Sequence, residues 1–292
     1  MAWSGRRPRL PRVRPVRLAR VLLLGCTATA MVLAAPVAVP MVFAAAAGTR
    51  ALIRSRRFNL FGRGITRVET SAPLVALTFD DGPYLPDVWH FVLDELRRRS
   101  VRGTFFVIGR EAERAPDLIR AAIADGHELG NHTYSHEHMV LMSQAAIHRE
   151  VERTDRVIRA AGSPLPIHFR PPCGAKLFGL PRYLARHARP MILWDIDADM
   201  SGAAAPDAAE IVRRVLTRAR PGSIVLLHAL STRNTNSRVA LPGILDGLLD
   251  DGYDFVTVSE LLAASAAHPV GRTRSASRST PQSAPSSKGN PL

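Results

Sequence analysis

The chain has 292 residues, of which 46% are hydrophobic and 22% charged, and its formal net charge is +14. This length suits one large domain or two ordinary ones, and the apolar content excludes a wholly disordered chain. The excess charge lies in the termini, because residues 1–57 hold eleven arginines and the stretch from Pro269 holds four basic residues, both without acids. The 24 basic and 25 acidic residues between them nearly cancel, which argues against a nucleic-acid-binding surface.

The N-terminal segment has the pattern of an export signal. Seven arginines between Arg6 and Arg20 precede an uncharged stretch from Val21 to Ala47. A membrane anchor needs roughly 20 apolar residues, and flanking arginines keep the N-terminus in the cytoplasm. A cleaved signal peptide is the alternative, since Ala44–Ala47 offers small residues for cleavage, although its apolar region is ordinarily about 7–15 residues. Both the anchor and the cleaved signal peptide predict an extracytoplasmic domain, either anchored through residues 21–47 or secreted.

Composition divides the remainder of the chain into three parts. Residues 48–71 form an arginine-rich predicted linker, residues 72–262 the predicted folded domain, and residues 263–292 a Ser/Pro/Arg-rich tail that we expect to be disordered. Cys26 and Cys173 are the only cysteines, which excludes a disulfide scaffold and a cysteine-based zinc site.

Short apolar runs alternate with helical patterns along the predicted domain. The predicted strands are Leu74–Phe79, Gly103–Ile108, His127–Gly130, Ile167–Arg170, Met191–Asp195, Ser223–Leu227 and Phe255–Val258. The predicted helices are Asp87–Arg99, a segment capped by Ser143 and ended by Gly162, and stretches within 115–125, 176–188, 206–219 and 239–250. This alternation predicts an α/β fold with parallel strands, either an open doubly wound sheet or an incomplete barrel.

Ionisable residues follow five of these predicted strands. They are Asp80 and Asp81, His132 and His136, Arg170, the group Asp195, Asp197 and Asp199, and His228. In parallel α/β folds the carboxyl ends of the strands share one rim, which carries the active site. We therefore expect these side chains to converge.

Two of the segments have the residues of a metal site. In the sequence TFDDGP, Gly82 and Pro83 turn the chain after Asp80 and Asp81, so that both carboxylates could face the rim; a solvated turn is the alternative. His132 and His136 are four residues apart, and on a helical turn they would face one metal, although many such pairs are surface or core residues. Two histidines and one aspartate would leave a position open for water, as in catalytic zinc sites.

These motifs resemble those of the polysaccharide deacetylases, the NodB-homology group or carbohydrate esterase family 4. The resemblance covers about residues 72–262 and rests on TFDDGP, the histidine pair, Arg170–Gly174 and Leu226–His228. It implies a distorted (β/α)₇ barrel as the single catalytic domain. It also implies metal-dependent removal of acetyl groups from N-acetylglucosamine polymers or from acetylated xylan.

The resemblance further implies a role for each residue. Asp80 would be the general base, His228 the general acid, and Arg170 would hold Asp80. A backbone N–H of the turn at Cys173 would stabilise the oxyanion. The alternatives are purely structural roles: Arg170 would form a buried ion pair, and His228 would be a core residue at the end of a strand. The implied ligands of a zinc-type ion, Zn²⁺ or Co²⁺, are Asp81, His132 and His136.

Two positions depart from the family pattern. Cys173 stands where the family often has tyrosine or another bulky residue. The fourth motif normally ends in Asp-Trp, but here the stretch is WDIDADM, residues 194–200. We align Asp199 and Met200 with that pair, which makes Asp199 the partner of His228, with Asp197 as a competitor.

The sequence therefore predicts an exported, metal-dependent N-deacetylase. Peptidoglycan is the favoured substrate, because an anchored, outward-facing domain lies beside the cell wall, and chitooligosaccharides come second. An acetylxylan esterase is the alternative within enzymes, and a glycan-binding barrel is the alternative outside them. A binding module needs no base, acid and metal, so the set of ionisable residues favours the enzyme. We expect a monomer that binds an acetylated glycan and no nucleic acid.

Overall fold

The computed structural model describes residues 40–56, 61–164, 166–199 and 206–267. The chain divides into two units, Met1–Ser55 and Arg56–Leu292. In the first unit, residues 40–54 form helix α1. None of the helices in the described ranges is long and apolar enough to span a membrane. Residues 21–39 of the predicted anchor, Met200 and the predicted tail from residue 268 onward lie outside the described residues.

The second unit is built on parallel strands. They are β1 (Gly64–Ile65), β2 (Leu74–Asp80), β3 (Thr104–Val107), β4 (Glu128–Asn131), β5 (Met191–Ile192), β6 (Ile196–Asp197), β7 (Ile224–Leu227) and β8 (Asp254–Phe255). Five of them pair in the order β4-β3-β2-β7-β6, β8 pairs with the start of β2, and β1 pairs with β5. This arrangement confirms the α/β class and is compatible with a distorted (β/α)₇ barrel, although the described strands do not close into one continuous ladder.

Helices connect these strands. They are α2 (Pro86–Arg98), α3 (Gly109–Arg114), α4 (Pro116–Ala124), α5 (Gln144–Ala160), α6 (Gly179–Arg186), α7 (Ala208–Arg218), α8 (Thr235–Asp250) and α9 (Val258–Ala267). As predicted, the Ser143 side chain caps α5 by accepting a hydrogen bond from the Ala146 N–H at 3.2 Å. A short 3₁₀ turn, Pro172–Gly174, follows Arg170.

Strand β2 is the centre of the core and determines where its aspartate points. Val75, Leu77 and Phe79 belong to an apolar cluster that includes buried residues of α2 and α8. Ala76 belongs to a second cluster, formed by buried residues of β3, β5, β7 and α9 and of the segments next to β1 and β5. Because successive side chains of a strand point to opposite faces, Thr78 and Asp80 lie on the same face as Ala76.

The predicted strand Ile167–Arg170 is not a regular strand. Only Phe169 forms bridges, to β4 on one side and β5 on the other. Prolines at positions 171 and 172 have no N–H to donate, so the ladder cannot continue beyond Arg170. Even so, the bridge holds Arg170 beside the ends of the strands.

The predicted strand Met191–Asp195 contains only β5, and the next strand, β6, begins after Asp195. Between them, the Asp195 carboxylate accepts hydrogen bonds from Ser223 Oγ at 3.0 Å and from the Ile224 N–H at 2.9 Å. A side chain that binds the neighbouring backbone in this way interrupts the regular ladder.

The folded part extends beyond the predicted limits of residues 72 and 262. Strand β1 lies within the predicted linker and pairs with β5. Val68 is buried, and its N–H donates to the Gly222 carbonyl at 2.9 Å. Gly222 has φ +83°, and a Cβ there would lie 1.8 Å from the Val68 carbonyl oxygen, so this contact requires glycine. At the other end, α9 continues to Ala267.

Candidate active site

The carboxyl ends of the strands bring the predicted residues to one rim. Phe79 pairs with Leu227 on the neighbouring strands β2 and β7, so the residues that follow, Asp80 and His228, lie at the same level. Strands β3 and β4 end beside them, and the loop after β4 carries both histidines of the motif.

Arg170 binds Asp80 inside the domain. The Arg170 side chain is fully buried and Asp80 is 2% exposed. Arg170 Nη1 donates to Asp80 Oδ1 at 2.6 Å and to Thr78 Oγ1 at 2.8 Å. Its Nε and Nη2 donate to the carbonyls of Ile192 and Leu193, both at 3.1 Å. All three guanidinium nitrogens thus have acceptors, which a buried charge requires.

This pairing keeps Asp80 ionised. Burial by itself raises the pKa of Asp80, but the charges of Arg170, His132 and His228 outweigh burial and hold that pKa below its usual range. Burial also lowers the pKa of Arg170, yet a guanidinium keeps its proton at neutral pH. Asp80 is therefore a buried carboxylate at neutral pH, available to accept a proton.

The chain turns at Asp81, which presents the second carboxylate to the rim. Asp81 and Gly82 have φ values of +73° and +68°. The Gly82 carbonyl accepts a hydrogen bond from the Ile108 N–H at 3.0 Å, which ties the turn to the end of β3. Asp80 Oδ2 and Asp81 Oδ1 lie 3.6 and 4.0 Å from the same atom, His132 Nε2. Both carboxylates therefore face one site, as the sequence predicted.

A loop, and not the predicted helical turn, joins His132 to His136. Thr133 and His136 have φ values of +68° and +62°, which a right-handed helix does not permit. The two imidazole rings nevertheless meet, with centroids 5.0 Å apart, and His136 Nε2 lies 3.2 Å from Asp81 Oδ1. The predicted helical turn is therefore wrong, but the loop still brings the two imidazole rings together as the prediction required.

Two residues outside the predicted set hold this loop in shape. Glu150 on α5 accepts hydrogen bonds through Oε2 from the backbone N–H groups of Tyr134 and Ser135, at 3.0 and 2.8 Å. Asn131 accepts one through Oδ1 from the Thr133 N–H at 2.8 Å. Asn131 adjoins the histidine motif, but nothing in the local pattern distinguishes Glu150 from the other charged residues of its helix.

The donor atoms around this loop fit a divalent metal ion. One ligand atom from each of three residues lies within 4.8 Å of the others; these residues are Asp81, His132 and His136. His132 Nδ1 lies 2.8 Å from the Arg170 carbonyl, which can only accept, so Nδ1 bears a hydrogen and Nε2 is the ring atom left to bind a metal. Burial and His132 lower the pKa of His136 to about 4 against the effect of Asp81 and Asp80, so its ring is neutral at neutral pH.

His228 is oriented by Asp199. The two Asp199 oxygens accept hydrogen bonds from His228 Nδ1 at 2.9 Å and from the His228 N–H at 2.7 Å. Ser237 Oγ donates to Asp199 Oδ2 at 2.6 Å. These bonds go to Asp199 and not to its sequence competitor Asp197. Burial disfavours the charged imidazole, but Asp199, with Asp80 and Asp81, outweighs it and raises the pKa of His228 to about 9.

Cys173 lies in the turn that follows Arg170. It has φ +55° and an exposed side chain, and its Sγ lies 4.0 Å from His138 Nε2. Next to it, Gly174 has φ +64°, and a Cβ there would lie 3.1 Å from the Trp194 ring. The turn is thus supported from the interior by Trp194, and its backbone keeps the predicted place beside Arg170.

We expect Glu150→Ala to weaken metal binding while leaving the fold intact, because it removes the acceptor for two N–H groups between the histidines. Residues that orient metal ligands typically contribute about 10–100-fold in affinity. Isothermal titration of the metal-free protein with Zn²⁺ measures this effect. Glu150→Gln retains an acceptor oxygen and should recover most of the affinity.

Glu152→Ala, on the same helix but bonded to Tyr183 at 2.9 Å, is the control. Equal affinities for all variants would contradict the assigned role.

Comparison with known proteins agrees with this geometry. The family model of the polysaccharide deacetylases matches residues 67–187. A peptidoglycan-N-acetylglucosamine deacetylase of Bacillus cereus is 34% identical over 67% of this chain and 91% of its own length. A chitooligosaccharide deacetylase of Sinorhizobium fredii is 39% identical over 57% of this chain and 76% of its own length.

A solved structure shows the same fold. The structure of a CE4 family pseudoenzyme from Bacillus anthracis superposes with a TM-score of 0.60 at 25% identity, covering 68% of this chain and 69% of that one. Because a pseudoenzyme has this fold, the fold alone does not establish catalysis, and the side chains of the rim must carry that conclusion. On the sequence relationship and the shared fold together, the chain belongs to the polysaccharide deacetylase family, carbohydrate esterase family 4, a family of metal-dependent hydrolases.

Proposed function

We propose that this chain removes the acetyl group from N-acetylglucosamine residues of peptidoglycan, using a zinc-type ion held by Asp81, His132 and His136. The observation that carries the proposal is the convergence of two different carboxylates on His132 Nε2, one paired with buried Arg170 and one beside His136. A protein that only binds glycans needs neither a carboxylate held ready as a base, such as Asp80, nor a separate set of metal ligands beside it. When bound, the ion supplies Lewis acidity, which lowers the pKa of water and polarises the acetyl carbonyl.

Asp80 is suited to accept the proton of the attacking water. Arg170 keeps Asp80 ionised and fixes the position of one of its oxygens, while Oδ2 faces the histidines. General-base catalysis requires a carboxylate within hydrogen-bond reach of the reacting proton, and the rim offers that position. A backbone N–H of the turn at Cys173 is our candidate donor to the oxygen of the acetyl group as negative charge develops on it.

His228 is suited to protonate the leaving amine. Its Nδ1 is bonded to Asp199, so in the charged ring the proton on Nε2 is the one available to the substrate. A pKa near 9 keeps this imidazole protonated at neutral pH. One side of the site thus accepts a proton and the other donates one, as amide hydrolysis demands.

The geometry of the site supports the proposed chemistry, whereas other observations support the proposed substrate and location. Peptidoglycan is supported by the B. cereus relative and by the arginine-rich, apolar N-terminal segment. From that segment we propose an extracytoplasmic location, anchored or secreted, and we separately propose that the protein is a monomer. Chitooligosaccharides are the second candidate, because the S. fredii relative carries that activity.

The proposal is tested by acetate release from the purified full-length chain. We expect release from peptidoglycan to exceed release from chitin oligomers and acetylated xylan. Dialysis against a chelator should abolish release, and Zn²⁺ or Co²⁺ should restore it. Full activity of metal-free protein would contradict the mechanism, and acetate from xylan alone would contradict the substrate.

Neutralising the two adjacent carboxylates should have different effects. Asp80→Asn leaves all three proposed ligands in place, so bound zinc should be retained while the rate falls about 10²–10⁴-fold through loss of the base. Asp81→Asn replaces an anionic ligand with a neutral amide, so zinc affinity should fall and excess zinc should partly restore the rate. Zinc content and rate are measured on the same preparations. Loss of zinc from Asp80→Asn with retention in Asp81→Asn would reverse the assignment.

The pH profile should distinguish Asp199 from Asp197. His228 acts in its protonated form, so activity is lost as the pH rises through its pKa. Asp199→Asn removes the main interaction that raises this pKa, and the alkaline limb of kcat should move about one pH unit or more toward neutrality. Asp197→Asn is the matched control and should leave the limb in place. An unchanged limb in Asp199→Asn, or a shift in the control alone, would exclude Asp199 from this role.

A further inference from the structure

A cavity of about 350 Å³ lies on the flank of the domain, lined by residues of α3, α4 and α5. We call it the α3–α5 groove. Its floor includes Ala112 and Ile119, which are buried, together with half-buried Val157. Its lip carries Arg120, Arg153 and Arg156. Pockets for small ligands typically have about 300–1,000 Å³, a range that includes this groove.

The groove has an excess of positive charge. Three arginines line it, and Glu113 is the one acidic residue among its lining residues. Arg153 binds Glu113 at 3.0 Å, and Arg120 binds Asp117 at 2.5 Å. Within the part of the chain that the structure describes, Arg156 makes no direct hydrogen bond or ion pair, although it is close enough to Glu113 to interact with it electrostatically. An apolar floor beside a guanidinium that no carboxylate bonds directly fits a ligand that combines small apolar groups with a carboxylate.

Two residues that line the groove contact the loop between His132 and His136. Glu113 accepts a hydrogen bond from the Tyr134 hydroxyl at 2.7 Å, and the Arg153 guanidinium lies 3.8 Å from the centre of the Tyr134 ring. Tyr134 stands two residues from both His132 and His136, a chain distance of about 7 Å at most. A peptide of four or five residues spans about 13–18 Å when extended, which exceeds the distance along the chain from either histidine to Tyr134 at the edge of the groove.

We propose that the α3–α5 groove binds the carboxylate-bearing peptide of peptidoglycan and so selects this substrate over uncharged glycans. The inference deepens the proposed function and rests on it. In peptidoglycan the sugar next to each N-acetylglucosamine carries a short peptide with free carboxylates and methyl side chains, whereas chitin and acetylated xylan carry none. Carboxylates match the arginines of the lip, and methyl groups match the floor. A protein partner fits less well, because stable interfaces bury about 1,200–2,000 Å² and the feature is a small cavity.

The experiment compares three substrates with matched glycan length: peptidoglycan strands with their peptides, the same strands after enzymatic removal of the peptides, and chitin oligomers. The variants of the full-length chain are Arg156→Gln and Arg156→Glu. Arg218→Gln is the control, since Arg218 is also an exposed helical arginine but lies on α7. Thermal unfolding of each variant checks the fold. Size-exclusion chromatography with light scattering gives the oligomeric state.

We expect the unmodified chain to prefer strands that carry peptides. Arg156→Glu should lower kcat/KM on those strands roughly tenfold, through KM, with a smaller loss in Arg156→Gln and no change on the other two substrates. Equal losses on all three substrates, or no loss, would overturn the inference while leaving deacetylation intact. A dimer that Arg156→Glu dissociates without altering the kinetics would assign the groove to contacts between copies and also overturn it. No acetate from either form of peptidoglycan would instead refute the proposed function.

Discussion

The buried ion pair between Arg170 and Asp80 is the constraint on which the rest of the site depends. Leaving one partner of such a pair uncompensated costs about 3–5 kcal/mol, so the surrounding chain must supply every acceptor that the guanidinium needs. It does so from β2 and from the carbonyls of Ile192 and Leu193 at the end of β5, while the Arg170 Cζ lies 4.0 Å from the centre of the Phe106 ring. The carbonyl of Arg170 also orients His132. One residue therefore fixes the proposed base and one proposed ligand together.

Local patterns in the sequence predicted the strands that position the site better than the segments between them. Strand β2 is apolar except for Thr78 and ends at Asp80, so the sequence alone predicted both its location and the position of the carboxylate at its end. The spacing of His132 and His136 predicted a helical turn, but backbone bonds to Glu150, fourteen residues beyond His136, stabilise a loop with positive φ instead. Contacts between residues far apart in sequence leave no periodic signal, and for this reason Glu150 was not predicted.

The choice between Asp197 and Asp199 shows a second limit of sequence patterns. The two residues are two positions apart, so in an extended chain their side chains point to the same face, and periodicity cannot distinguish them. The hydrogen bonds of Asp199 with His228 and Ser237 make the distinction, and both partners come from distant segments. The family resemblance gave the same alignment, but its physical reason lies in tertiary contacts.

The central claim is that Asp80 and Asp81, although adjacent, divide the work of base and ligand. A crystal structure of the zinc-loaded protein, with anomalous scattering measured at the zinc absorption edge, tests it most directly. The account predicts one ion bound by Asp81, His132 and His136, with Asp80 still bonded to Arg170 and outside the coordination sphere. An ion bound by Asp80 with Asp81 turned away, or no ion at these residues, would contradict it.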